Sequence, residues 1–357
     1  MSPLDIAYQR LLNQCLVADP FEKPREVVDW LVAVQSQDYA GAKWALGLRL
    51  QDAHDADIER AFNAGDILRT HVMRPTWHFV APADIRWLLA LTAPRVHAAN
   101  ATMYGRLELD NATVKRSHKT LTKVLQGGQQ LTREELSAAL EKAGIAAKGQ
   151  RLAYIVMHAE LDGLICSGPR RGKQFTYALL DERIPSVKAL NPAEALANFA
   201  QRYFTSHGPA SVQDFAKWSG LTVADAGRGL EAIKDQLQHE VLNGYDYWFA
   251  PNQALAPAAS PTAYLLSIFD EYLIGYKDRS MIAQPEVAAK LFTMGNVLTT
   301  VVVIDGRIVG SWRRVLGKDV VTITIDYFAR VTKAQQRAVA VAAQKYGEFL
   351  EKPVTLV

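Results

Sequence analysis

Apolar and polar positions along the chain fall into blocks that repeat. Residues Thr113 to Leu125 carry a helical pattern. Leu131-Thr132-Arg133-Glu134-Glu135-Leu136 then reads as a helix start, with Thr132 as the cap and Glu135 reaching back to it. Apolar residues follow at helical spacing at Leu136, Ala139 and Leu140, and Gly144 ends the segment. A further helix over Gly149–Leu161 places Leu152, Ile155, Val156 and Ala159 on one side. After Asp162-Gly163, Leu164-Ile165-Cys166 and Phe175-Thr176-Tyr177-Ala178-Leu179 flank the turn-rich residues 167–172, which predicts a β-hairpin. Three helices and a hairpin is the order of a winged helix.

The same order recurs downstream. Asn191-Pro192-Ala193-Glu194 starts a helix running to Phe204, Ser211 caps the next, and Thr222 caps a third ending near Leu237. Leu237–Val241 and Tyr247–Ala250 then flank Asn243-Gly244, a strong hairpin signal. A less regular copy precedes both, with helices over Pro24–Val34 and Ala56–Phe62 and a strand-like stretch over Ile67–Val80 that bends near Arg74-Pro75. From residue 254 the texture changes. Ala-Pro-rich residues 254–261 read as a linker, and Thr299–Ile304, Arg307–Trp312 and Val320–Ile325 as strands. A helix over Thr332–Phe349 and a closing strand over Pro353–Val357 complete the chain. The expected fold is α+β and helix-rich: three tandem winged-helix domains (1–112, 113–186 and 187–253) followed by a β-barrel-like domain (254–357).

Composition narrows the class. The 357 residues are 49% hydrophobic and 22% charged, values of an ordinary globular protein rather than a disordered chain. No apolar run reaches the length of a membrane span. Met1-Ser2-Pro3-Leu4-Asp5 lacks the basic start and apolar core of a signal peptide, and Cys15 and Cys166 cannot build a disulfide framework. A reduced, cytoplasmic protein with no membrane partner is expected. The net charge of +3 announces no nucleic-acid partner by itself, but residues 95–173 hold 13 Lys/Arg against 7 Asp/Glu, a local basic excess that a phosphate backbone would feel.

Standard catalytic signatures are missing: there is no Walker A loop, Gly-x-Ser-x-Gly elbow or His-Glu-x-x-His. Gly227-Arg228-Gly229-Leu230-Glu231-Ala232 fits the dinucleotide fingerprint only as letters, inside a helical pattern. His71, His78 and His97 lack a fourth ligand at sensible spacing, so neither metal nor cofactor is expected.

Three dense stretches remain. In Gln35-Ser36-Gln37-Asp38 two amides stand beside a carboxylate at the end of an apolar helix. They either cap that terminus or, if the helix ends there and the chain becomes extended, converge on one ligand. Gly41 permits such a break. In Leu68–Val80, Arg69, His71, Arg74, Thr76 and His78 either contact phosphates or belong to an ordinary wing whose Trp77 packs inward. Phe269–Ser280 and Gly310–Arg314 mix aromatic and basic residues, as a nucleic-acid groove or a salt-bridged domain junction would.

Together these stretches resemble the AlkZ-like DNA glycosylases, a bacterial winged-helix family. The resemblance rests on Gln35-Ser36-Gln37, Leu68–Val80, Asp270-Glu271-Tyr272-Leu273-x-Gly275-Tyr276-x-Asp278-Arg279 and Gly306-Arg307-x-x-Gly310-Ser311-Trp312-Arg313-Arg314, in the family's order. It implies a C-shaped clamp on duplex DNA and hydrolysis of the glycosidic bond of alkylated purines, notably N7-alkylguanine, with interstrand crosslinks unhooked by some members. It makes Gln35 and Gln37 the catalytic pair; Ser36 departs from the aliphatic residue usual between them. Phosphate contacts are expected from Arg69, Arg74, Arg170, Arg171, Lys173, Arg279, Arg313 and Arg314, in a monomer bound to alkylated double-stranded DNA. The competing reading is a non-catalytic winged-helix regulator. Against it, three fused copies replace the dimer symmetry such regulators use, and the Arg151–Asp162 helix offers few base-reading side chains.

Overall fold

The structure, a computed structural model, describes residues 2–17, 20–184, 190–251 and 261–357. Its first part runs α1 (Pro3–Asn13), α2 (Pro24–Leu31), β1 (Ala33–Gln35), α3 (Tyr39–Gly47), α4 (Asp55–Ala64), β2 (Leu68–His71) and β3 (Trp77–Val80), and the long α5 (Ile85–Arg106) leads out of it. The helix expected over Pro24–Val34 stops at Leu31. Val32 and Val34 are buried and β-branched, a side-chain shape that suits a pleated surface better than a helix. Val32 turns the chain with a φ of 70°, and β1 then joins a sheet of order β1-β3-β2. Gly41 therefore makes no break; it lies inside α3. A Cβ there would come within 2.6 Å of an Asp38 carboxylate oxygen, so this glycine serves a close approach.

Residues 111–183 follow the expected order: α6 (Asn111–Leu125), β4 (Leu131–Thr132), α7 (Arg133–Lys142), α8 (Gly149–Leu161), β5 (Ile165–Ser167), β6 (Thr176–Leu179) and the short α9 (Leu180–Arg183). Thr132 caps α7 by accepting the Glu135 N–H, and the Glu135 carboxylate accepts the Thr132 N–H at 2.7 Å. Leu121, Leu136, Leu140, Leu152 and Ile155 supply this unit's own core.

A third run comprises α10 (Pro192–Ser206), α11 (Val212–Ser219), α12 (Val223–Glu231), β7 (Gln238–Leu242) and β8 (Tyr245–Phe249). Here α12 ends at Glu231, short of the expected Leu237, and one 3-10 turn over Lys234–Gln236 fills the gap. Gly227 and Gly229 sit within α12. A Cβ on Gly229 would stand 3.2 Å from the Ala200 side chain, so the glycine lets α12 pack closely on α10.

The C-terminal part contains β9 (Ala263–Leu266), α13 (Glu271–Ile274), α14 (Pro285–Thr293), β10 (Val301–Ile304), β11 (Arg307–Leu316), β12 (Val321–Tyr327), α15 (Lys333–Phe349) and β13 (Val354–Leu356). Its strands form one sheet of order β13-β12-β11-β10-β9, antiparallel except for the β12–β13 pair. Helix α15 packs against both edge strands, so the sheet curls around it. Among the described residues the edges are not joined, and the expected barrel is an open, curled sheet. Most of the expected Ala-Pro-rich linker, residues 252–260, lies outside the described residues.

Two cores cross the boundaries that the sequence suggests. One joins Val32, Leu68 and Val72 to Phe199, Phe215, Trp218 and Tyr276. The other joins Val34, Phe62 and Phe79 to Trp312 and Tyr346. The segment bearing Gln35 is held between them.

Candidate active site

Alternation along β1 sends Ala33 into one shared core and Val34 into the other. Gln35 then pairs with His78 of β3, and Ser36 donates its N–H to the Trp77 carbonyl at 2.8 Å. Gln35 ends the strand, and Gln37 lies in the bend that follows it. Gln35 is 7% exposed, and its Oε1 accepts from Arg74 Nη2 at 3.0 Å. Gln37 is exposed, and its Oε1 accepts from the Trp77 N–H at 3.4 Å. Both side-chain oxygens are thus drawn to the bend at residues 74–77.

The backbone beneath them is anchored from far along the chain. The Gln35 N–H donates to Glu271 Oε1 at 2.9 Å, and Glu271 Oε2 accepts from Trp218 Nε1 at 2.7 Å. Beside Glu271, Asp270 accepts two hydrogen bonds from Arg49, at 2.9 and 3.0 Å, and caps the start of α13 through the Tyr272 N–H. Tyr276 donates its hydroxyl to the His207 carbonyl at 2.9 Å. The Asp270–Tyr276 run is therefore a buried junction, one of the two readings its sequence allowed.

His78 is fully buried. Its Nδ1–H donates to the Thr76 carbonyl at 3.0 Å, leaving Nε2 to accept from Arg74 at 3.2 Å. Burial, and then the charge of Arg74, push its pKa well below the usual imidazole range, so the ring is neutral. Acid sensitivity follows. Unfolded His78 takes up a proton near pH 6.5, whereas folded His78 does not. This contribution to stability is complete above that pH and lost as pH falls toward the depressed folded value. The urea midpoint of the wild type is expected to drop more than that of His78→Gln between about pH 7.5 and about pH 5.5. Parallel pH profiles for the two proteins would contradict this.

The remaining expected side chains separate by environment. Arg69 is buried, its guanidinium 4.3 Å from the Trp77 ring and 4.5 Å from Phe175, with Nε donating to the Ser36 carbonyl at 3.2 Å. Burial lowers its pKa to about 10. Arg170 lies 4.9 Å from Phe175 and 5.0 Å from Tyr39 and pairs with Glu59. These alternating cations and rings bind the first unit to the second hairpin. His71 is buried against Glu160 and packs at a tilt on Trp77, ring centroids 4.3 Å apart; Arg171 pairs with Glu135 at 2.7 Å. Arg74 donates also to the Trp218 carbonyl. Expected as phosphate contacts, Arg69, His71 and His78 are turned inward, because their polar groups find partners in the protein. Thr76 is half-buried, Arg314 lies over Trp312 and Tyr346, and Arg279 is half-buried, whereas Lys173 and Arg313 are exposed.

Lys217 lies on α11, in no motif that marks it as functional. Its ammonium donates to the Tyr276 carbonyl at 3.3 Å. Its pKa is lowered by desolvation and then by the charges of Arg279 and Arg74, with Lys277 adding to them. Arg74, Lys277 and Arg279 thus all act on Lys217, and Arg74 also reaches Gln35, a grouping with no signal in local sequence. Glu271 lay within a motif that drew notice, but its link to the Gln35 backbone was invisible there.

Comparison with known proteins adds three findings. The family described as DNA glycosylase AlkZ-like matches residues 28–349. A Streptomyces sahachiroi protein named interstrand DNA cross-link repair glycosylase is 27% identical over 357 residues, covering 95% of each chain. The solved structure of Streptomyces sahachiroi DNA glycosylase AlkZ has the same fold, with a TM-score of 0.82 at 22% identity and complete coverage of both chains.

Proposed function

The chain belongs to the AlkZ-like DNA glycosylases, and we propose that it hydrolyses the glycosidic bond of cationic alkylated purines in duplex DNA, with Gln35 and Gln37 positioning the water. The observation carrying this reading is that both carboxamide oxygens accept hydrogen bonds from the bend at residues 74–77, the buried Gln35 from Arg74 and the exposed Gln37 from the Trp77 N–H.

The chemistry suits amides. N7-alkylguanine already bears positive charge and departs without an enzyme acid. What remains is to hold water at the anomeric carbon and to offer dipoles to an oxocarbenium-like transition state. A glutamine oxygen accepts a hydrogen bond from that water without being a strong base. The hydrogen bond from Arg74 fixes the Gln35 carboxamide, and the buried Glu271 carboxylate beside Arg74 offsets the cation near developing positive charge. N3-alkyladenine and N7-linked interstrand crosslinks belong to the same cationic class. Neutral lesions such as uracil are poor substrates on this mechanism.

The three runs of helices with their sheets are read as winged helices, over 1–112, 113–186 and 187–253, which together with the curled sheet of 254–357 embrace the duplex as a monomeric clamp. Lys173, Arg313, Arg279 and the newly noted Lys217 are assigned to phosphates, while Arg69, Arg170, His71 and His78 support the site from within. Lys217→Ala is expected to weaken binding to any duplex sequence and to lower the salt dependence of affinity by about one unit in log–log slope. Titrations in graded salt check this, and an unchanged slope removes Lys217 from the interface.

The deciding experiment is release of 7-methylguanine from methylated duplex DNA by the purified protein, with uracil-containing duplex as the control. Release of the methylated base alone supports the reading. Binding without release of either base would make the protein a DNA-binding module.

A further inference from the structure

Away from this site, α5, α6 and α8 bring together His97, His118, His158 and Asp162, residues separated by up to 65 positions. We propose that these four side chains bind a zinc ion that ties the three helices together. Asp162 Oδ1 stands 3.0 Å from His97 Nε2, and its Oδ2 stands 3.3 Å from His158 Nδ1 and 3.7 Å from His118 Nδ1. In a tetrahedral zinc site with bonds of about 2.0–2.1 Å, donor atoms stand about 3.3 Å apart. The donor atoms of His97, His158 and Asp162 all lie within 4.8 Å of one another; His118 stands outside that group, its Nδ1 3.7 Å from Asp162, and completes the set by turning its ring toward them.

Hydrogen bonding alone leaves this cluster unsatisfied. His118 Nε2 is buried without a hydrogen-bond partner among the described residues, and one carboxylate is shared by three imidazoles. His97 already has the support that a metal-binding histidine needs: its Nδ1 meets the Tyr104 hydroxyl at 2.9 Å, which aims Nε2 toward Asp162. Three imidazoles and one carboxylate suit zinc better than magnesium or calcium, and four protein ligands make a closed, structural set. A cavity of about 360 Å³ lined by Arg86, His97, Asp162 and Gly163 gives an ion a way in. His71 and His78, which stand near His97 in no local pattern, are sent elsewhere by the fold, against Glu160 and against Thr76 and Arg74.

The test is metal binding by the full chain after chelator treatment, read by zinc titration against a chromophoric chelator and by the visible spectrum of the cobalt(II) form. One ion per chain, with cobalt bands of tetrahedral intensity, is expected. A Tm rise of about 5 °C is expected at zinc a hundredfold above its Kd. His118→Gln and Asp162→Asn should each weaken binding at least tenfold. Because such variants can loosen the helices by themselves, the zinc-dependent increment in Tm is compared rather than Tm itself. Failure of the wild type to take up one ion, or affinity unchanged in both variants, would overturn the proposal. The readout is independent of base release, so it stands or falls apart from the glycosylase reading.

Discussion

Replacing Gln37 by Ala is expected to slow 7-methylguanine release by about a hundredfold, the scale on which a single preorganised polar group acts in a transition state. Gln37 is exposed and its hydrogen bond from the Trp77 N–H is long, at 3.4 Å, so the substitution should leave melting and duplex binding almost unchanged. Gln35→Ala should cost at least as much activity. It removes the carboxamide, and it also takes an acceptor from Arg74, which keeps the Trp218 carbonyl and His78 as partners. Single-turnover release and fluorescence anisotropy on the same duplex separate catalysis from affinity. If both variants excise within a few-fold of the wild type, or lose binding in proportion to activity, the amide pair is not the water-positioning device.

The second large effect concerns the junction beneath the site. Asp270→Ala would strand the Arg49 guanidinium, which is fully buried and otherwise bonded to Gln14 and the Ala45 carbonyl. Breaking a buried pair from one side costs about 3–5 kcal/mol, because the remaining charge stays desolvated. The start of α13 would lose its cap as well. Urea denaturation should show a markedly lower midpoint for this variant. The double variant Asp270→Leu, Arg49→Met should recover much of the loss, since apolar groups of similar volume replace a buried ion pair at little cost. A single variant within about 1 kcal/mol of the wild type would show that water reaches Arg49 and that the pair is not the clasp its burial indicates.

Local physics carried most of the secondary structure. The Thr132–Glu135 capping box, the Asn243-Gly244 turn and the heptad-like spacing of α8 are decided within a dozen residues, and each appeared where the pattern placed it. The end of α2 did not follow its pattern. Val34 continues the apolar periodicity, but two shared cores claim opposite faces of Ala33 and Val34, and only an extended backbone can serve both. That same demand sets Gln35 opposite His78, and both carboxamide oxygens reach the bend at residues 74–77. The apolar register therefore decided the geometry of the polar pair, through partners at residues 74–80 and 271.

By itself the sequence determined the order of helices and hairpins, the family resemblance and the identity of the two amides. Each of these rests on short-range spacing, or on residue type along the chain. Only the tertiary structure decided which cations stay exposed and which are consumed by rings, carboxylates and carbonyls. It also decided that Lys217 shares the field of Arg74 and Arg279, and that His97 meets His118, His158 and Asp162. Charge and coordination act over a few ångströms of space, and the chain distances spanned in these groups are too long for any local pattern to record.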